Sequence, residues 1–285
     1  MHEMNSAQGS RSFALASLFL PSVTRPQIYE LYRWCRKCDD LIDEAPSPAA
    51  ARERLNELMK GSSLQATRPP TWINPSDAHE FLLGMAMDVD GFRYKTFSEL
   101  ETYCFRVAGV VGLMMCPLLG AKRTEAHGAA IALGKAMQLT NIARDVQTDA
   151  RIGRIYIPDD LLPNMVPGIL AQEPERSLDS IRTLLNQADL WYEEGLNGLR
   201  ELPLRTAVGI AVAGVVYRQI GHKLLRRAQR NPAFAFRQRT VVSNFEKSIG
   251  ILIAMVIVVR VKLLRWPLSS PRKKETASSL AHGQR

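Results

Sequence analysis

The chain has 285 residues, 46% hydrophobic and 23% charged, with a formal net charge of +9. That balance excludes a disordered chain, because there is enough apolar surface to build a sizeable core, read here as one domain. The charge is uneven: residues 200–285 hold 17 Lys and Arg against 3 Asp and Glu, while residues 1–199 hold 20 against 25. Such an excess suits an anionic partner, and nucleic acid, an anionic membrane surface and a phosphorylated substrate all qualify.

Residues 1–10 are polar and are expected to be disordered. Beyond them, apolar residues recur at three- and four-residue spacing with few alternating β-branched runs, which predicts an all-α domain over residues 11–266. The expected helices are 25–43, 48–60, 76–92, 98–119, 125–149, 176–198, 205–230 and 245–266, several preceded by Ser, Thr, Asp or Pro as start signals. The polar stretch 61–74 and the Gly/Pro-rich stretch 151–174 are the clearest breaks. The second directly follows an acidic motif and is expected to act as a lid. Residues 267–285 contain Pro267 and Pro271 and no apolar period, so they are expected to form a disordered basic tail.

Cys35, Cys38, Cys104 and Cys116 sit in apolar surroundings, and no basic start with an apolar stretch opens the sequence, so a reduced, cytoplasmic setting is expected. Cys35 and Cys38 form a C-x-x-C, but no second pair has zinc-site spacing, and buried core cysteines are the better reading. The longest apolar run, residues 249–259, is well short of the roughly 20 residues that a membrane-spanning helix needs. A core helix is expected there, with contact to a membrane interface as the alternative.

One short pattern occurs twice, as Asp39-Asp40-Leu41-Ile42-Asp43 and as Arg144-Asp145-Val146-Gln147-Thr148-Asp149. In each, two aspartates one helical turn apart put carboxylates side by side on one face, where like charges repel. Near a helix C-terminus they also oppose the dipole. A cation between them relieves both conflicts, and magnesium fits, since it takes oxygen ligands and is typically held by one or two carboxylates plus substrate phosphates. The competing reading is an ordinary solvated acidic face, which one pair alone would favour; two pairs beside apolar stretches tilt against it. Tyr32 and Arg36 precede Asp39 at one-turn spacing, and Gln138 and Asn141 precede Asp145. Arg36 suits phosphate oxygens or a surface ion pair equally on spacing. The amide of Asn141 is an acceptable magnesium ligand.

These residues resemble the squalene and phytoene synthase family. The resemblance rests on five blocks in the family's order: Ser10-Arg11-Ser12-Phe13, residues 32–43, 103–112 and 138–146, and Gly153-Arg154-Ile155-Tyr156-Ile157-Pro158. It covers about residues 10–265, and the wording of the blocks is nearest to the family's bacterial phytoene-forming members. It implies an all-helical isoprenoid-synthase-type bundle around a central cavity, with aspartates on opposite walls. By position it implies Asp39, Asp43, Asp145 and Asp149 as metal-binding carboxylates with Asn141 beside the second set. Arg36, Arg144 and Arg154 become phosphate contacts, Ser10 and Ser12 part of a flap over the first diphosphate, and Tyr32, Tyr103, Tyr156 and Tyr217 cavity residues. Phe13 and Gln138 join the substrate-binding set.

The implied reaction joins two geranylgeranyl diphosphates head to head through a cyclopropyl diphosphate to give phytoene, in carotenoid biosynthesis. Magnesium is the implied cofactor, with manganese as a substitute and no NADPH. The implied partners are prenyl diphosphates, a peripheral membrane surface on the inner face and other carotenoid-pathway enzymes, with no nucleic acid. A dry apolar cavity is needed to protect carbocations, and Phe13, Leu31, Val107, Val111, Met114 and Leu139 either line it or pack the core. A dehydrosqualene, presqualene diphosphate or squalene-type synthase acting on farnesyl diphosphate is the alternative, because chain length depends on cavity depth. A non-enzymatic helical protein that binds membrane or nucleic acid explains the basic C-terminal third but not the paired aspartates.

Overall fold

A computed structural model describes residues 19–61, 68–121 and 123–263. Within them the chain is helical and contains no strand: α1 Arg25–Asp43, α2 Pro48–Lys60, α3 Pro75–Val89, α4 Phe97–Cys104, α5 Val110–Leu119, α6 Glu125–Arg151, α7 Pro167–Gln172, α8 Leu178–Asn197, α9 Leu204–Arg230, α10 Pro232–Ala235 and α11 Asn244–Val258. Most expected boundaries hold to within a few residues, with two differences: the predicted helix 98–119 is interrupted by a π turn, Phe105–Gly109, joining α4 to α5, and the predicted helix 245–266 is α-helical only to Val258 before a second π turn, Val259–Leu263, its last residues lying outside the described ones. The expected terminal segments, Ser10, Ser12 and Phe13 lie outside the described residues.

Local chemistry explains the ends. Ser47, Asn74 and Thr96 cap α2, α3 and α4 by accepting backbone N–H groups, and Ser243 with Glu246 forms a reciprocal capping box on α11. α6 stops at Gly153, whose φ of +85° suits a residue without a side chain. That left-handed turn carries the Arg154 backbone N–H back to the Asp149 carbonyl at 2.9 Å.

α6 is the central helix, packed by α8, α5, the π turn, α7 and α9. It buries Leu139, Ile142 and Val146 against Ile181 and Leu184 of α8. α1 buries Leu31, Trp34, Cys38 and Ile42 against Leu55 and Phe81. A third apolar group joins Leu196, Val212 and Val216 to Ala254 and Val258 of α11. Truncating a fully buried member such as Leu139 to Ala is expected to cost about 2–5 kcal/mol. The seam that the π turn and α5 make with α6 is tight: a methyl at Gly134 would lie 2.3 Å from the Ala108 carbonyl oxygen, and one at Gly112 would lie 2.4 Å from that of Ala130.

Segment 151–174, the expected lid, is seated against the chain after α3: Asp159 and Asp160 donate backbone N–H bonds to Tyr94 and Lys95 while Arg93 binds the carbonyls of Ile155 and Ile157. One expectation is corrected. The apolar run 249–259 is not a core helix: only Gly250, Ala254 and Val258 are buried, and most of its large side chains face outward. Among the described residues the stretch long and apolar enough to cross a bilayer is instead Phe97–Leu119, which is packed between α3 and α6 and lines the central cavity.

Candidate functional site

A cavity of about 530 Å³ runs between α1, α3, the π turn, α6 and α9. Its wall is mostly apolar, with Leu31, Val107, Val111 and Met137 along its length and Leu199 and Leu202 at one end. The polar groups gather at the other end, where Tyr32, Asp39, Asp88, Tyr103, Gln138 and Tyr217 meet. The expected liners Met114 and Leu139 are not part of the wall; they are buried in the packed core behind it.

Helical spacing produces this arrangement. On α1 the positions Ile28, Leu31, Tyr32, Cys35 and Asp39 face the cavity while Trp34, Cys38 and Ile42 face the core, so Asp39 is carried inward by its neighbours' apolar packing. Burial, then the repulsion of Asp43, pushes the Asp39 carboxyl up to about 7. On α6 burial and then Asp145 push Asp149 up to about 8. Asp88 of α3 is the third inward carboxylate, raised by burial and interacting electrostatically with Asp39, Asp43 and Asp149. The two acidic pairs therefore address one region, with Asp88 between them.

Arg154 occupies the middle of this acidic field. Its guanidinium lies 3.4 Å from Asp43 and lowers the carboxyls of Asp88 and Asp149. Asp88 accepts hydroxyl hydrogen bonds from Tyr103 at 2.8 Å and Tyr156 at 2.7 Å, and these two rings stack with centroids 5.1 Å apart. Asp88 also lines a smaller cavity of about 100 Å³ together with Arg154 and Tyr156.

Asp145 behaves differently from its partner. Burial alone would raise its carboxyl, but Arg144 and Arg239 together outweigh that and hold it below the ordinary carboxylate range. Arg144 donates from Nε at 2.9 Å and is only 9% exposed, so it is committed to Asp145 and shielded. Arg239 donates from Nε at 3.1 Å, across 94 positions of sequence. Tyr217, partly buried beside Arg144, Arg239 and Tyr32, closes this corner. Arg36 makes the surface ion pair that its spacing allowed, 2.7 Å from Asp40, with both side chains about two-fifths exposed.

Asp88 and Arg239 were not singled out from sequence. The signal for Asp88 is a carboxylate one turn after buried Gly84 and Met85, in the apolar second half of its helix. Arg239 sits in irregular chain between α10 and α11 and carries no such signal.

The residues fit a divalent cation. The Oδ1 of Asn141, one turn before Asp145, is buried without a hydrogen-bond partner, and its amide reaches only Gln138 at 3.4 Å. An orphaned amide oxygen one turn from the ionised Asp145, in a region where burial and then mutual repulsion raise Asp39 and Asp149, is a donor set short of a cation. Among the described residues no three His, Cys, Asp or Glu side chains form a closed cage, so substrate oxygens would have to complete the coordination, as magnesium commonly allows.

Comparison with known proteins identifies the family. The family model described as squalene/phytoene synthase matches residues 6–246. The chain is 38% identical over 272 residues to the 15-cis-phytoene synthase of Enterobacter agglomerans, covering 86% of this chain and 90% of that protein. It is 37% identical over 268 residues to the 15-cis-phytoene synthase of Pantoea ananas, covering 85% of each. Among solved structures it resembles a dehydrosqualene synthase in complex with ligand, with TM-score 0.74 and 28% identity over 89% of this chain and 94% of that one. It also resembles squalene synthase HpnC from Alicyclobacillus acidocaldarius, with TM-score 0.61 and 25% identity over 77% and 88%.

Proposed function

Since the chain belongs to the squalene/phytoene synthase family, we propose that it condenses two geranylgeranyl diphosphates head to head, through a cyclopropyl diphosphate, to phytoene. The observation that carries this reading is the meeting of both aspartate pairs and Arg154 at one end of an apolar cavity, in a chain this close to named phytoene synthases. Magnesium, held by Asp39, Asp43, Asn141, Asp145 and Asp149, would supply Lewis-acid charge to the leaving diphosphate.

The protein's own groups then have distinct tasks. Arg154 and Arg239 meet diphosphate oxygens and place the allylic carbon toward the cavity. As the C–O bond breaks, the ring of Tyr103, which lines the cavity and stacks on Tyr156, offers π density to the developing cation. Burial, then the Asp88 carboxylate, pushes both phenols well up, so they remain protonated and serve as donors and π surfaces, not as bases. Released diphosphate is then our reading for the acceptor of the final proton. The apolar wall keeps water from the cation.

Purified protein with magnesium and geranylgeranyl diphosphate is expected to release inorganic diphosphate and yield phytoene without NADPH. A thirty-carbon hydrocarbon formed from farnesyl diphosphate alone would transfer the assignment to the dehydrosqualene type. No diphosphate release from any prenyl chain length would remove the enzymatic reading.

A further inference from the structure

α11 presents its larger apolar side chains to the outside. Against α9 it packs the small residues Gly250 and Ala254 with Val258, while Phe245, Leu252 and Val256 are 75%, 68% and 66% exposed. With Ile249 and Val259, also exposed, these side chains fall within about 40° of one line along the helix. That half of the helix carries no carboxylate. Glu246, its only acidic residue, pairs with Lys223 of α9 at 2.7 Å. Isolated exposed leucines need no explanation, but a continuous stripe marks an interaction surface.

Basic residues flank the stripe. α11 runs antiparallel to α9, since Glu246 meets Lys223 and Gly250 meets Val216 and Gln219. The start of the stripe therefore lies beside the end of α9, where Arg226 and Arg230 are exposed, and beside exposed Arg237 in the connecting turn. At the other end Lys262 binds the carbonyls of Arg200 and Leu202, which seats the C-terminal end of the stripe next to the apolar end of the cavity.

We propose that this face of α11 docks the protein on an anionic lipid bilayer, with the helix lying in the interface plane. An apolar face bordered by cations is the pattern that binds such a surface through buried area and headgroup attraction together. A second copy of the chain fits less well. The 20 residues Asn244 to Leu263 form a helix about 30 Å long, and a stripe on the order of 300 Å² falls short of the roughly 800 Å² per partner of a stable interface. Residues 267–285 offer only Leu268 and Leu280 as large apolar groups, too few to cover it. The surface stands on these observations and not on the reaction.

Sedimentation of the purified full chain with vesicles tests it. Binding to phosphatidylglycerol/phosphatidylcholine vesicles is expected, with weaker binding to phosphatidylcholine alone and at high salt. The variant Phe245→Ser/Leu252→Ser/Val256→Ser is expected to bind at least about tenfold more weakly, because binding scales with buried apolar area. Leu190→Ser, exposed on α8, is expected to bind as wild type. A single Leu252→Glu, which sets a carboxylate on the stripe, is expected to lose binding as well and guards against misfolding of the triple variant. The proposal is overturned by wild-type protein that ignores anionic vesicles, by unchanged binding of Leu252→Glu, or by a dimer in analytical ultracentrifugation that the stripe variants dissolve.

Discussion

Arg154 reaches Asp43 across 111 positions of sequence, with its Nη2 3.4 Å from Asp43 Oδ1. The contact ties the end of α1 to the turn after α6, so one guanidinium stands where the two acidic helices come together. Arg154→Gln is expected to lower diphosphate release by about a hundredfold, the usual scale for losing a charged group that stabilises a leaving anion. Release measured at saturating magnesium checks this, and a variant within a few-fold of wild type would take Arg154 out of the diphosphate site.

Asp145→Asn and Asp149→Asn are both expected to abolish turnover, yet to move thermal stability in opposite directions. Asp145 compensates Arg144 and Arg239, and neutralising it leaves a shielded guanidinium without its counter-ion, a loss of roughly 1–3 kcal/mol. Asp149 is buried and crowded by Asp145, so ionising it is costly; its amide removes that cost, and the metal-free variant melts above wild type by a margin that is complete once the pH exceeds about 8. Melting curves in chelator decide the matter, and shifts of the same sign would contradict the assigned environments.

Metal-free protein is expected to lose stability as pH rises. Asp39 and Asp149 hold protons up to about 7 and about 8, whereas an unfolded chain gives them up near its ordinary value of about 4. The folded state thus binds more protons between those limits, so the contribution of these two groups is fully present below about pH 4 and declines until they have ionised above about pH 8. Magnesium, which binds the ionised carboxylates, is expected to flatten the decline. A metal-free melting temperature that climbs through that window in wild type and Asp149→Asn alike would refute this account.

Arg239→Ala is expected to raise the KM for the prenyl diphosphate about tenfold with a smaller change in kcat, and Arg239→Lys to recover part of it. Steady-state kinetics of both variants provide the check. An unchanged KM would leave Arg239 as a counter-ion of Asp145 alone.

The fold and the two acidic pairs were legible in the sequence because both are written in helical periodicity. Asp39 faces the cavity since Leu31 and Cys35 precede it on the same side of α1, and spacing alone yields that. Arg239 was invisible for the opposite reason: it reaches Asp145 from irregular chain 94 residues away, and no local pattern encodes a tertiary approach. Asp88 was partly legible as a carboxylate in the apolar half of its helix, but its importance comes from Tyr103 and Tyr156, which arrive from two other segments. The exposed stripe on α11 misled composition, because an apolar run reads alike whether it turns inward or outward until its packing partner is known.

Gly112 and Gly134 let the backbones of two helices touch without side chains between them. Val107 and Val111 on one of these helices and Met137 on the other border the hollow at that seam. A methyl at position 134 would wedge the seam open and admit solvent beside the path of the cation. The damage from Gly134→Ala would then surface less in substrate affinity than in the product mixture, as prenyl alcohols formed when water traps the intermediate before carbon does.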